Sequence, residues 1–293
     1  MNNLLPLIIE PKTSDLGDGF KVRRLLPQVK KRSVGPFVFW DHMGPVNLGP
    51  DREMKVRAHP HIGLSTLTYL FSGEILHRDS LQNELKIRPG EINWMTSGQW
   101  ISHSERSHPT SEMTLEGIQV WVALPKEKED MEPSFHHFKP EALPKVPLGD
   151  ILCTLIAGEF EGKTSPIPTH SPMFYLNAKG ASGSRFHAEL PLNQEGAVYI
   201  IHGELSGLEG RYSSGTMVAF EPGSILDFDL ATETHFMFFG GQAFPEKRFM
   251  DWNFVSSDPK KIEEAKKKWL SGEYEPVINE DEMIPLPEER SDR

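Results

Sequence analysis

His59-Pro-His-Ile-Gly-Leu-Ser-Thr-Leu-Thr-Tyr-Leu-Phe-Ser-Gly73 places two imidazoles two residues apart and then runs into an alternating, β-forming stretch that stops at Ser72-Gly73. Residues i and i+2 of a β-strand project from the same face, so His59 and His61 offer two donor nitrogens in one direction. Further along, His103-Ser-Glu105 repeats the spacing with an imidazole and a carboxylate. Two such strands side by side would gather four N/O donors around one point. Three neutral imidazoles and one carboxylate suit Fe(II), Mn(II), Ni(II), Cu(II) or Zn(II) and are poor for Ca²⁺ or Mg²⁺.

The surrounding sequence continues in the same idiom. Phe37–Trp40 is an apolar run bounded by Gly35-Pro36 and Asp41, and reads as a buried strand. Glu74–Arg78 and Leu85–Ile87 are strand-like segments around a turn at Gln82-Asn83, and Pro89-Gly90 marks a turn that needs glycine for a positive φ. Residues 91–95 and 117–124 supply further strands. No helix pattern interrupts the first half, so an antiparallel all-β domain, sandwich or barrel, is expected.

The 293 residues are enough for two domains, and 38% hydrophobic and 25% charged residues are ordinary for a soluble globular protein. The 24 Gly and 24 Pro fit many short strands joined by tight turns. One cysteine, Cys153, excludes an internal disulfide framework and fits a reducing compartment; its flanks read as a strand, so it is expected as a small buried apolar residue. No apolar run is long enough for a membrane span, and a cytoplasmic location is expected, or a nuclear one in a eukaryote. The net charge of −11 argues against direct nucleic-acid binding, and the short basic patches Lys21–Arg24 and Lys30–Arg32 read as solvated surface.

Residues 125–149 are dense in Pro, Lys and Glu, without a sustained pattern, and read as the connection between domains. The boundaries drawn are 1–139 for an N-terminal metal-binding domain, 140–149 for a linker, and 150–293 for a second domain without metal ligands. The second half echoes the first: Val198-Tyr-Ile-Ile-His-Gly-Glu-Leu205 parallels Thr68-Tyr-Leu-Phe-Ser-Gly-Glu-Ile75, which favours an internal duplication. Duplication within one chain lessens the need for dimer formation, so a monomer is expected. One helix is expected, capped by Ser257 or Asp258, with Pro259 in its first turn, Gly272 at its end, and Ile262, Ala265 and Trp269 on one face. The acidic, Pro-rich tail after Glu273 is expected to be only partly ordered.

His59-Pro-His-Ile-Gly63 with Thr66-Leu-Thr-Tyr-Leu, Glu74-Ile-Leu-His-Arg-Asp-Ser80, Pro89-Gly90, Trp94-Met-Thr-Ser-Gly98 and Ile101-Ser-His-Ser-Glu105 stand in the order seen in the pirin family of the cupin superfamily. Gln119-Val-Trp-Val-Ala-Leu124 and Trp252-Asn-Phe-Val-Ser-Ser257 resemble pirins as well, so the resemblance covers most of the chain. It implies a bicupin, two antiparallel β-barrels with one metal in the N-terminal barrel. It also implies iron held by His59, His61, His103 and Glu105. Ser65 stands where the usual cupin motif has a glutamate, which leaves Glu105 as the carboxylate offered to the metal. In the second barrel His187, His202 and His235 are scattered, and no metal is expected there.

Several other residues are candidates for the site's surroundings. His77 is either at the pocket mouth or an exposed strand histidine; Asp41-His42 reads best as a turn; Trp94, Met95, Phe37 and Phe39 line an apolar pocket or, more often for such residues, pack a core; His136-His137 reads as solvent-exposed. By the resemblance, the activity implied is that of a quercetin 2,3-dioxygenase: an aromatic diol or flavonol and O₂ meeting at adjacent open metal positions, with Glu105 as a ligand that also shuttles the flavonol proton. The competing implication is a non-catalytic, redox-sensitive regulator that binds a transcription factor or a metabolic enzyme; a structural metal site without turnover fits the same ligands.

Overall fold

The structure is a computed structural model that describes residues 6–16, 19–207 and 210–288. The chain divides into two compact units that do not follow the drawn boundaries. One comprises Ser14–Val22, His42–His137 and the chain from Glu246 onward; the other comprises the start through Thr13, Arg23–Asp41 and Phe138–Pro245. The helix and tail therefore pack in the unit that carries the histidine pairs, not in the second domain. The reason is apolar burial: Ile262, Ala265 and Trp269 form one buried cluster with Ile62, Trp100 and Phe254. Each such side chain removed from water contributes about 1.5–3 kcal/mol. The helix spans Pro259–Ser271; Asp258 Oδ1 accepts the Lys260 backbone N–H, and Gly272 closes the helix at φ +75°. No helix among the described residues is long and apolar enough to cross a membrane.

Part of the stretch expected as a linker, 140–149, is strand, following a 3-10 turn at Pro140–Ala142. Lys145–Leu148 pairs with Ile151–Phe160, and Val146 and Leu148 are buried between the exposed Lys145 and Pro147. Proline and lysine had hidden a period of two. Gly149 turns this hairpin at φ +64°, where an added Cβ would lie 2.3 Å from the Arg185 carbonyl oxygen.

The unit with the histidines has two facing sheets. One runs in the order Met54–His61, Ile101–Ser107, Ile75–Asp79, Glu84–Ile87; the other runs Ser134–Phe138, Ile92–Thr96, Leu64–Ser72, Met113–Ala123 and then Phe37–Leu48, of which the part from His42 on lies in this unit. The fold is all-β and cupin-like, as expected, but each unit is a pair of sheets and not one closed barrel. Met54, Val56, Leu70, Ile75, Ile87 and Leu115 fill one part of the space between them.

The second unit repeats this connectivity. Glu195–His202 pairs with Met217–Phe220 and Thr234–Gly241, as Leu64–Ser72 pairs with Ile92–Thr96 and Met113–Ala123. Gly73 (φ +82°) and Gly203 (φ +88°) make the same turn out of those strands. Counting from these glycines along the paired strands, the positions of His59, His103 and Glu105 fall on Ala188, Leu226 and Phe228. All three are buried apolar residues in a core that also holds Phe174, Phe186, Phe236 and Phe238. His187 is half exposed, His202 is exposed, and His235 Nε2 lies 2.6 Å from Asn177 Oδ1.

Candidate metal centre

Met54–His61 and Ile101–Ser107 are antiparallel neighbours, with His103 opposite His59 and Ile101 opposite His61. The register then slips: Glu105 faces Val56, so Met54–His61 carries one extra residue, a β-bulge at Arg57-Ala58. On the other side of Ile101–Ser107, Asp79 faces His103 and His77 faces Glu105. Lateral partners in a sheet share a face, so His59, His61, His103, Glu105, His77 and Asp79 all point inward.

The three predicted imidazoles come together. Their ligating atoms lie within 4.8 Å of one another, and His61 Nε2 is 3.1 Å from His103 Nε2. His59 Nδ1 is 2.8 Å from the Arg57 carbonyl oxygen and His61 Nδ1 is 3.0 Å from that of Asn253. Each Nδ1 thus carries the hydrogen and each Nε2 is bare, the tautomer a metal requires. Burial pushes His59 down to about 4, and holds His61 and His103 well below the usual imidazole range; neighbouring imidazoles add to this for His61 and His103. All three are neutral bases near pH 7. A metal–nitrogen distance of about 2.0–2.1 Å sets two nitrogens at right angles about 3 Å apart, close to the separation seen, so the donor set fits a transition-metal ion. His103 Nδ1 is buried without a hydrogen-bond partner among the described residues.

Glu105 is buried on the same face, beyond the group of three, and its Oε1 accepts from Thr68 Oγ1 at 3.3 Å. Burial raises its carboxyl, while His77 and Thr68 pull it back. His77 is buried, not exposed: its Nε2 lies 3.0 Å from Asp79 Oδ2, and its ring stacks on Phe135 with centroids 4.5 Å apart. Asp79 is itself fixed by the backbone N–H groups of Leu81 and Asn83. His77-Arg-Asp79 is a third pair at a spacing of two, so the sequence itself signals Asp79 on the same face.

Ser65 faces away from the cavity, where its hydroxyl meets Thr96 Oγ1 at 2.9 Å; the cavity side of that strand is set by Thr66 and Thr68. Trp94 shares the outward side and donates to Thr96 Oγ1, whereas Met95 lies level with Thr66 on the inner side. Phe37 belongs to the other unit, packed edge-on against Tyr175 and Phe239, and Phe39 lies there under the Arg24 guanidinium. Asp41-His42 is strand, not turn: Asp41 takes two hydrogen bonds from Arg24, and His42 Nε2 lies 3.2 Å from Glu116 Oε1. His137 is half-buried, with Nδ1 2.8 Å from Asn93 Oδ1.

The C-terminal segment braces the ligand strand. Val255 N–H donates to the Ile62 carbonyl, and an added Cβ at Gly63 would lie 1.9 Å from Val255 O. Beyond the helix, Ala58 N–H donates to Glu282 O and Ile284 N–H to Ala58 O, on the bulge beside His59. Arg106 forms a buried ion pair with Glu280 and a second with Glu282. The part of the tail around Glu280–Ile284 is thus docked, because its carboxylates neutralise a buried guanidinium, while the partial order expected of the tail's last residues, 289–293, lies outside the described residues.

Residues 19–122 match the Pirin family and residues 175–275 match the Pirin C-terminal cupin domain. A pirin-like protein of Caulobacter vibrioides is 43% identical over 294 residues, covering 97% of this chain and 100% of the relative. A Pseudomonas aeruginosa protein that carries the provisional name quercetin 2,3-dioxygenase is 34% identical over 90% of this chain and 84% of its own length. The crystal structure of a quercetin 2,3-dioxygenase from Acinetobacter baumannii superposes with a TM-score of 0.90 at 28% identity, over 97% of this chain and 95% of that one. With residues 19–122 and 175–275 matched to its two domain models and a relative 43% identical over 97% of the chain, the chain belongs to the pirin family.

Proposed function

We infer that this pirin is an iron-dependent dioxygenase of the quercetin 2,3-dioxygenase type, with His59, His61, His103 and Glu105 as ligands and a flavonol or related aromatic hydroxyl compound as substrate. The observation that carries the reading is the convergence of three neutral imidazoles, two with Nδ1 clamped by backbone carbonyls, beside a fully buried carboxylate. When bound, Fe(II) would acidify a coordinated hydroxyl and make O₂ reactive toward the substrate.

The chain's own residues supply the rest. His59 and His61 are fixed in orientation by Arg57 O and Asn253 O, so they hold position without reorganising. Glu105, buried on the same face as the three imidazoles, is the carboxylate that would take up the flavonol hydroxyl proton and return it to the product. Trp121, edge-on to the His61 ring at 5.1 Å, and Phe135, stacked on His77, give the cavity aromatic walls that favour a flat ring system and exclude water.

The test is anaerobic reconstitution with Fe(II), followed by addition of quercetin and air-saturated buffer. The reading expects O₂ uptake matched by quercetin loss and CO release. Metal-loaded protein that neither consumes O₂ nor depletes quercetin or other flavonols refutes it.

A further inference from the structure

The sheet that faces Glu105 carries a row of polar side chains. Thr68 is flanked in register by Asn93 on one side and Gln119 on the other, and all three are at most 4% exposed. Buried polar groups destabilise unless they are hydrogen-bonded, so such a row between two sheets needs a purpose. Asn93 is engaged by His137 at the far end. The other two converge on the carboxylate.

Thr68 Oγ1 lies 2.6 Å from Gln119 Oε1 and 3.3 Å from Glu105 Oε1. A hydroxyl has one hydrogen, so it cannot make two full bonds to two acceptor oxygens. A half-turn of the Gln119 amide removes the conflict, because Nε2–H then donates to Thr68 Oγ1 and the hydroxyl hydrogen is free for Glu105. The row becomes directional: amide to hydroxyl, hydroxyl to carboxylate. His77, opposite Glu105 on the neighbouring strand, is turned to Asp79 instead. Thr68 is therefore the hydrogen-bond partner that the described residues give this carboxylate.

We propose that Thr68 and Gln119 are positioning residues that pin one oxygen of Glu105 on the sheet floor and leave the other to face the three histidines. The role rests on the reading of Glu105 as the fourth ligand. Pinning one oxygen makes the carboxylate a monodentate ligand of fixed direction.

The experiment uses Co(II) as the probe on the full chain, reading affinity by chelator competition and coordination by the visible absorption bands. Thr68→Val, which keeps the shape and removes the hydroxyl, is expected to weaken Co(II) binding about tenfold or more and to change the band intensities. Thr68→Ser should restore both. Gln119→Leu is expected to move them in the same direction, and serves if Thr68→Val folds poorly by circular dichroism. In a Glu105→Gln background, Thr68→Val should add no further loss. A Glu105→Gln protein that loses affinity beside a Thr68→Val protein that does not overturns the proposal alone, as does an equal Thr68→Val loss in both backgrounds. A Glu105→Gln protein that binds Co(II) as tightly as the parent overturns the ligand reading, and the proposal with it.

Discussion

Gly63 is where the C-terminal segment and the histidine strand touch, and Gly63→Ala separates them. Two effects add. Gly63 has φ +69°, and an L-residue in the left-handed region costs about 1–2 kcal/mol. The new Cβ would also sit 1.9 Å from Val255 O, backbone that is held by the buried Phe254 beside it. Relief needs a shift of more than about 1 Å, which breaks the Val255 N–H bond to Ile62 O and pulls Asn253 O from His61, at about 1 kcal/mol each. The expected total is about 3–4 kcal/mol, a fall of roughly 5–6 °C in Tm for a chain of this size. Metal affinity should fall as well, about tenfold, because the Nδ1 acceptor of His61 goes with the segment. Gly183→Ala is the control: φ is +83° but nothing lies within 4 Å of its Cβ, so only the conformational part remains and metal binding should not change. Thermal melts and Co(II) titrations of both variants decide the matter. If Gly63→Ala is no worse than Gly183→Ala, the contact is not limiting. If it melts early yet binds metal normally, Asn253 does not orient His61.

Three further outcomes are expected. His61→Ala combined with Glu105→Ala should abolish stoichiometric metal binding while the protein stays folded; full metal content by elemental analysis would remove the site itself. Glu280→Ala leaves Arg106 buried beside the more exposed Glu282 alone, so a loss of about 3–5 kcal/mol and faster proteolysis of the tail are expected, with unchanged cleavage kinetics as the contrary result. Asp41 is pushed up to about 6, chiefly by burial, with Arg24 opposing. A carboxyl with a raised folded pKa binds its proton more tightly when folded, so its contribution to stability is present at low pH and declines as pH rises from about 4 to about 6. At about 1.4 kcal/mol per unit, the stability of the parent relative to Asp41→Asn should drop by roughly 3 kcal/mol over that window. A difference that stays flat from pH 4 to 7 contradicts this.

What was legible in the sequence is what local periodicity carries. His59/His61 and His103/Glu105 could be read because a period of two places each pair on one face whatever the rest of the chain does. The helix was legible from Asp258, Pro259 and Gly272, since capping is a matter of a few adjacent residues. Its partner was not: an amphipathic face states that something is covered, and Ile62, Trp100 and Phe254 lie in segments far apart in sequence. Asn253 was invisible as the group that orients His61, because the atom used is a backbone carbonyl and any side chain supplies one. Glu280 and Glu282 lie in the acidic tail, whose composition suggests only partial order; only the fold brings Arg106, itself inside a strand, underneath them.

The two units show which part of the architecture gathers the three histidines. Both units pair their strands in the same order and turn at equivalent glycines, yet one interior gathers imidazoles and the other phenylalanines. The backbone therefore supplies inward-facing positions and no preference for metal. What differs is a handful of side chains at those positions and the groups behind them. His59 and His61 each need a carbonyl acceptor for Nδ1, one from the bulge at Arg57 and one from the returning segment at Asn253. The Arg185–Glu189 and Ile225–Leu230 strands, which correspond to the two ligand strands, pair without a register slip from Arg185 to Glu189, so the second unit has no bulge to turn a carbonyl that way. Converting Ala188, Leu226 and Phe228 into His, His and Glu would put buried polar groups where nothing orients or satisfies them, and burying unpaired polar groups costs several kcal/mol. The candidate site is thus more than its histidines: the strand irregularity at Arg57-Ala58 and the C-terminal brace hold them in place.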